Sequence, residues 1–291
     1  MSKNIIIASS ALLTASVFFV LNDAIINYLS SLNIQFYHFI FYGSPAYIAV
    51  PIFLLIKGTL KKNLICNNYW IPLIRGLIFA PMPFITFISL KNISLPEFTT
   101  LNMTAPLIGA IYGFIFLKEK LNFFVYTSLA IGFLGVIFVI QPGFDNFNIY
   151  FLVTLCGVFL ITTTTTIVNK FNSVTTTIGY FLYGGLITHI ISFLLFILDP
   201  IIVSYNVFLL ITIASIFINL ALFLATFAFK KSQKHYSAIF CLVYLQIVWA
   251  SLLGFYFFNE YLNQYALIGA GLIVLSGIIS IPGQLKQVYE K

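Results

Sequence analysis

Charge is what this sequence has least of. Seven acids and fourteen bases stand among 291 residues, 7% of the chain, where a soluble globular protein carries roughly 25%. So few ionic groups cannot coat a water-exposed surface of this size, which excludes a soluble all-helical protein with a large core. Cysteine is scarce too. Cys66, Cys156 and Cys241 show no paired spacing, so the chain holds neither a disulfide framework nor a zinc pattern. There is no short-spaced pair of acids to hold a metal-bound diphosphate, no His/Cys cluster, no glycine-rich phosphate loop and no HExxH. These absences argue against an enzyme, and neither a metal nor a cofactor is expected. The net charge of +7 arises from bases scattered in short groups between apolar runs, which makes nucleic acid a poor partner.

What the chain has in abundance is apolar sequence, 61% of it. A bilayer span needs about 20 apolar residues, and ten such runs fit: 5–28, 34–56, 70–90, 94–117, 121–140, 147–168, 174–198, 206–229, 235–258 and 262–282. The connectors between them are too short for a second folded domain. The first run has no small-residue cleavage site and leads into further spans, so it reads as a retained helix and not as a signal peptide. The expected fold class is an all-α polytopic membrane protein with ten transmembrane helices, its partner the lipid bilayer.

The chain also repeats itself. Residues 113–122 read GFIFLKEKLN and residues 254–263 read GFYFFNEYLN, with six of ten positions identical at a spacing of 141. Each copy runs on through a glycine-spotted apolar segment to a Pro-Gly pair, Pro142 and Gly143 or Pro282 and Gly283. A repeat at half the chain length is the mark of a transporter built from two related halves. Five spans per half is an odd number, so the second half is expected to be inverted relative to the first.

The bases support that expectation. With the N-terminus in the cytoplasm, the inner segments hold Lys3, Lys57, Lys61, Lys62, Lys118, Lys120, Lys170, Lys230, Lys231, Lys234, Lys286 and Lys291. Only Lys91 falls outside, and Arg75 sits just inside the cytoplasmic end of the third span. Glu119 is flanked by two lysines, whereas its counterpart Glu260 is flanked by Asn259 and Tyr261. Lysines thus accompany whichever copy faces the cytoplasm. The expected organisation is a first five-helix repeat over 1–143, an inverted second repeat over 147–283 and a cytoplasmic tail over 284–291.

Prolines gather in the first half: Pro45 and Pro51, Pro72, Pro81 and Pro83, Pro96 and Pro106. Inside a helix each removes a hydrogen bond and favours a kink, which neighbouring helices can compensate. Gly109 and Gly113 form a GxxxG, and further glycines stud the fifth and tenth runs, where close helix packing is the plain reading and gating the other.

Several landmarks resemble the EamA family of the drug/metabolite transporter superfamily. They are Arg75-Gly76 opening the third run, Leu95-Pro96-Glu97 opening the fourth, and Leu117-Lys118-Glu119 leading to Gly132-Phe133-Leu134-Gly135-Val136 and the Pro-Gly pair. The resemblance covers essentially the whole chain in two halves. It implies ten helices, two inverted repeats, cytoplasmic termini and a central cavity for a small organic solute. Asn22-Asp23, late in the first run, is similar to the S-adenosylmethionine uptake branch, although Asn27 stands where a basic residue commonly follows.

Polar residues within apolar runs are the candidates for substrate contact. Asp23 lies roughly five residues inside its run, about 8 Å deep at 1.5 Å per residue. A carboxylate there calls for water or a partner, so it reads as a substrate or proton contact or as a structural hydrogen bond. Arg75 reads as an attractor for an anionic group or as an anchor whose head snorkels to the interface. Glu97 reads as a substrate contact or as a carboxylate placed for a helix dipole. His38 and His189 can each bind a proton near neutral pH or bond between helices. Thr162–Thr166 offer a polar wall or back-bonds to their own helix. Asn219, Gln246 and Trp249 offer amides and a stacking surface. The function expected is a secondary transporter of a small organic metabolite, amino-acid-like or S-adenosylmethionine-like, working by alternating access in a bacterial inner membrane. A channel, a lipid scramblase or, more remotely, an intramembrane enzyme is the alternative. A homodimer is compatible with this reading but not required.

Overall fold

The computed structural model describes residues 3–32, 34–118, 123–140, 147–232, 236, 240, 242–243 and 246–289. Glu119, Lys120, Pro142, Gly143, Lys234 and His235 lie outside the described residues. The order is α1 (Lys3–Ser31), α2 (Phe36–Ile56), the short α3 (Leu60–Leu64), α4 (Trp70–Phe79), α5 (Met82–Asn92), α6 (Leu95–Asn102), α7 (Ala105–Leu117) and α8 (Phe123–Ile140). Then come α9 (Ile149–Lys170), α10 (Thr177–Leu198), α11 (Tyr205–Ser232), α12 (Gln246–Leu253), a π turn over Gly254–Phe258 and α13 (Gln264–Tyr289).

Seven segments are long and apolar enough to cross a membrane: Ile6–Ser31, Phe36–Ile56, Trp70–Asn92, Leu95–Leu117, Ile149–Lys170, Thr177–Leu198 and Tyr205–Ser232. Shorter apolar helices occupy Tyr126–Ile140, Trp249–Phe258 and Gln264–Ser276. The runs at 121–140 and 235–258 lie partly outside the described residues. The third and fourth runs are each a pair of in-line helices. The first pair breaks at Ala80–Pro81 and the second at Met103–Thr104, just before Pro106, as a ring without an N–H dictates. Pro45 and Pro51, by contrast, sit within an uninterrupted α2. At the other end of the chain, α13 runs past Pro282 and Gly283 into the expected tail, over Gln, Leu and Lys residues that favour helix.

Burial is inverted relative to a soluble protein. Large apolar side chains such as Ile56, Phe123, Leu198 and Phe257 point outward, while Thr162, Thr164, Ser192 and Ser89 are wholly buried. In lipid the outer face needs no polar coat, and every backbone group must be satisfied within the protein. The buried hydroxyls mostly bond back along their own helices, as Thr162 Oγ1 does to Val158 O at 2.7 Å.

The core is a bundle in which α1 lies against α11, α2 against α10 and α11, α4 against α10, and α5 and α7 against α9. Helices α8 and α13 pack chiefly on each other. A Cβ on Gly269 would stand 2.6 Å from the carbonyl oxygen of Gly135, and one on Gly135 would stand 2.8 Å from that of Gly269. Only glycine permits that crossing.

Contacts between helix ends fix two faces of the bundle. Where α1 ends, His38 Nε2 bonds Asp199 O at 2.8 Å and Asn148 Nδ2 donates to Asn92 O at 2.9 Å. Where α1 begins, Thr175 Oγ1 donates to Ile65 O at 2.9 Å and Asn67 N to Val174 O at 3.0 Å. Among the described residues, two non-glycine positions have positive φ, Lys118 at 56° and Asn259 at 52°. Each ends a helix in the left-handed conformation, and they stand at equivalent places in the two copies of the repeated decapeptide.

Candidate functional site

A cavity of about 240 Å³ lies inside the bundle, walled by residues of α1, α2, α4–α7 and α9–α12. Most of its wall is apolar and aromatic, including Phe19, Phe87, Phe181 and Phe229, with a few polar groups set into it. That composition suits a small organic ligand oriented by a few fixed contacts.

Arg75 is the cation of this wall. It is only 6% exposed. Nη1 donates to Tyr180 O at 2.9 Å, Nη2 reaches Thr226 Oγ1 at 3.5 Å, and the guanidinium carbon is 6.0 Å from the Tyr180 ring centroid. Nε has no partner among the described residues. The head therefore does not snorkel. It lies against α10, where a Cβ on Gly184 would stand 2.2 Å from Nη1, so glycine is the residue that leaves the guanidinium its place.

Asp23 is the anion. It is half-buried on α1 and accepts from Asn22 Nδ2 at 3.1 Å. Asn22 Oδ1 is buried without a partner among the described residues. Asp23 and Arg75 line the same cavity and form no ion pair with each other.

His189 stacks on Tyr47 with centroids 4.0 Å apart, and its Nδ1 lies 2.8 Å from Gly185 O. The Tyr47 hydroxyl donates to Leu182 O. Asn219 Nδ2 donates to Ser215 O of its own helix at 2.7 Å. Gln246 closes the wall from α12.

Of the candidate residues, then, Asp23, Arg75, His189, Asn219 and Gln246 share one cavity. Three lie elsewhere. His38 is buried at the face where α1 ends, on Asp199. Trp249 points outward, nearly half exposed. Glu97 closes a capping box at the start of α6, its Oε2 accepting from Ser94 Oγ at 2.8 Å and Ser94 N at 3.1 Å. Of the threonine run, Thr165 lines the cavity.

Several wall residues were not candidates: Tyr47, Asn102, Thr188 and Thr226. Thr188 Oγ1 has no partner among the described residues, so it is a free hydroxyl on that wall. The adjacent pair Gly184-Gly185 was a readable signal for this region. Arg75 packs on the first and Tyr47 on the second.

Comparison with known proteins agrees with this architecture. Residues 2–141 match the model of the EamA-like transporter family. Across nearly its whole length, the chain is 24% identical to an S-adenosylmethionine uptake transporter of Rickettsia bellii, over 93% of this chain and 91% of the relative. It is 25% identical to a protein of the same description from Rickettsia conorii, over 93% and 90%. It is also 25% identical to an uncharacterized transporter of Helicobacter pylori, over 70% and 71%. A crystal structure 18% identical in sequence superposes with a TM-score of 0.62, covering 96% of this chain and 97% of the other. At that identity the likeness speaks for the fold alone. Together with the seven long apolar helices, these relatives mark the chain as a multi-pass membrane protein.

Proposed function

We propose that this EamA-like chain is a secondary transporter that carries a small zwitterionic or cationic metabolite, amino-acid-like or S-adenosylmethionine-like, by alternating access. It has ten membrane-spanning helices in two inverted five-helix halves, 1–143 and 147–283, with both termini in the cytoplasm of a bacterium and the helices in its inner membrane. Support for the halves comes from the repeated decapeptide, the matching left-handed residues Lys118 and Asn259 and the distribution of lysines.

One observation carries the substrate reading: a single cavity holds a carboxylate and a guanidinium that do not neutralise each other. A charge near the middle of a membrane helix costs about 2.5–3.5 kcal/mol on insertion scales. A ligand bearing an ammonium or sulfonium for Asp23 and a carboxylate for Arg75 offsets both. S-adenosylmethionine and simple amino acids have that pattern of charge, and relatives of similar length are described as S-adenosylmethionine uptake transporters.

The test is uptake into proteoliposomes from a panel of labelled amino acids, nucleosides and S-adenosylmethionine. A carrier saturates with one class, and its gradient-driven uptake is impaired in Asp23→Asn. If Asp23 is a ligand for the substrate, Asp23→Asn weakens equilibrium binding. If it carries a coupling proton, binding and exchange persist while gradient-driven accumulation stops. Non-saturating flux would indicate a channel, and unaltered transport in Asp23→Asn under every gradient would remove Asp23 from the site.

A further inference from the structure

One half-buried acid takes no part in the cavity. Glu260 lies in the connection between the π turn and α13, directly after the left-handed Asn259. Its backbone N–H donates to Gly254 O at 3.0 Å, so the turn itself aims the side chain inward. Oε2 accepts from the backbone N–H of Leu95 at 2.8 Å, and Oε1 accepts from Asn27 Nδ2 at 3.1 Å. The Leu95 N–H is one of the donors that α6 leaves without an intrahelical partner. The capping box does not serve it, because Ser94 Oγ takes Glu97 N and Glu97 takes Ser94 N. Glu260 thus ties together three segments that are far apart in sequence: the end of α1, the start of α6 and the α12–α13 connection. Gly254 tightens the same junction, since a Cβ there would stand 2.7 Å from Pro96 Cγ.

Where this tie sits is informative. Asp23 lies one turn before Asn27 on α1, Phe98 lies one turn beyond Leu95 on α6, and Gln246 begins α12. All three line the cavity. The junction therefore stands beside the cavity toward the face where α1 ends, and Leu95, Ile26 and Leu101 are buried in one apolar cluster there. Its polar contacts go to a carboxylate, which makes them stronger and more directional than the apolar packing beside them.

We infer that Glu260, Asn27 and the first N–H of α6 form a latch that holds the cavity shut on the face where α1 ends and releases when that face opens. The repeat places a related contact on the other face. Asn169 follows Asn27 at a spacing of 142, one residue off that of the decapeptide, with Val168-Asn169 on α9 resembling Ile26-Asn27 on α1; it is buried, its Nδ2 donating to Phe229 O at 3.1 Å and Ser232 Oγ at 3.0 Å. Glu119, the counterpart of Glu260 in sequence, lies outside the described residues.

The latch rests on the alternating-access reading, and its test needs no transport. In a background with Cys66, Cys156 and Cys241 replaced by serine, Ile218→Cys puts a thiol on the cavity wall. A membrane-impermeant maleimide is applied to right-side-out and to inverted membrane vesicles. Asn27→Ala and Glu260→Ala, made separately, each raise the labelling rate from the face where α1 ends by about tenfold, the factor expected for losing a hydrogen bond to a charged group. Labelling from the opposite face falls. Asn169→Ala shifts both rates the other way. Equal rises from both faces mean general loosening and overturn the latch, as does unchanged labelling in both Asn27→Ala and Glu260→Ala, or a shift in Asn169→Ala of the same sign as in Asn27→Ala. A metabolite panel that finds no substrate leaves these rates interpretable, so the two readings fail separately.

Discussion

Arg75 is held by a backbone carbonyl and a threonine hydroxyl, not by an acid. Those contacts orient the guanidinium without neutralising it, so its charge is left for whatever enters the cavity. On the proposed reading lysine replaces it only in part, because a point charge lacks the planar fork that fits a carboxylate. Arg75→Gln is expected to weaken binding of the transported metabolite about tenfold or more, with a smaller effect on an analogue whose carboxylate is esterified. Arg75→Lys falls between. Binding curves for the metabolite and its ester, measured on the purified protein, check this, and an equal loss for both ligands would reduce Arg75 to a packing role. Asp23, Arg75 and His189 were legible in the sequence because polar side chains in apolar spans are costly and therefore conspicuous. Tyr47 and Thr188 were not. Aromatic and threonine residues occur all along these runs, and which of them faces the cavity depends on how each helix is rotated against its neighbours. Gln246 and Trp249 make the same point: they stand three residues apart on α12, and the cavity edge runs between them.

Elements are joined here by two different means, close backbone crossing and polar contacts between helix ends. The α8–α13 crossing at Gly135 and Gly269 is the first kind. Gly269→Ala puts a methyl group 2.6 Å from a carbonyl oxygen that cannot move without its helix, and overpacking of this sort costs roughly 1–3 kcal/mol. Gly271 lies two residues on in the same helix with nothing within 4 Å of its Cβ position, so Gly271→Ala is expected to be neutral or slightly stabilising. Thermal unfolding of the two variants in detergent should separate them, and equal melting temperatures would refute the close crossing. The Glu260 latch is the second kind, and its acid responds to pH. Burial pushes its carboxyl above the ordinary value of 4.5, Glu97 adds to the rise, and the hydrogen bonds from Asn27 and Leu95 N oppose it. The latched form therefore holds a proton at a pH where a solvated carboxyl has lost it. Protonation favours the latched form below 4.5, and that advantage disappears as pH rises through the raised value. Maleimide labelling of Ile218→Cys from the latch face should increase over that window relative to the same protein carrying Glu260→Gln. The glutamine amide can donate to Asn27 Oδ1 once the Asn27 amide flips, which keeps the contact without a titrating group. An identical pH profile in both proteins would show that Glu260 does not titrate in the latch.

For the molecule as a whole, seven of the ten expected spans stand as long apolar helices, because length and apolarity are matters of composition. Apolar runs announce helices in a bilayer, and the 113–122 decapeptide recurs with its helix-ending Lys118 and Asn259 in the same backbone conformation. Helix breaks were legible only in part. Pro81 and Pro106 stand at interruptions while Pro45 and Pro51 do not, since a proline breaks a helix only where neighbours cannot take up the freed carbonyl. Orientation remains the property that packing within the bundle cannot supply, because contacts between helices do not depend on which side of a membrane they face. It must come from charge, which is sparse enough here for nearly every base to count. Bases are retained on the cytoplasmic side, and Lys57, Lys61, Lys62, Lys170, Lys230 and Lys231 all lie toward the face where α1 begins. Reporter fusions after Lys62, Lys120 and Lys231 are accordingly expected to read as cytoplasmic, and fusions after Asp145 and Asp199 as external. The sharper test is the charge swap within the repeat. Replacing Asn259 and Tyr261 by lysine gives the second decapeptide the flanks of the first, so the same retention signal then acts on the wrong side. The last two helices should insert poorly or invert, moving a C-terminal reporter outward in part of the population. If Asp145 and Lys120 report the same side, the halves are not inverted, and the latch on one face and the asparagine contact on the other cease to be related by the repeat.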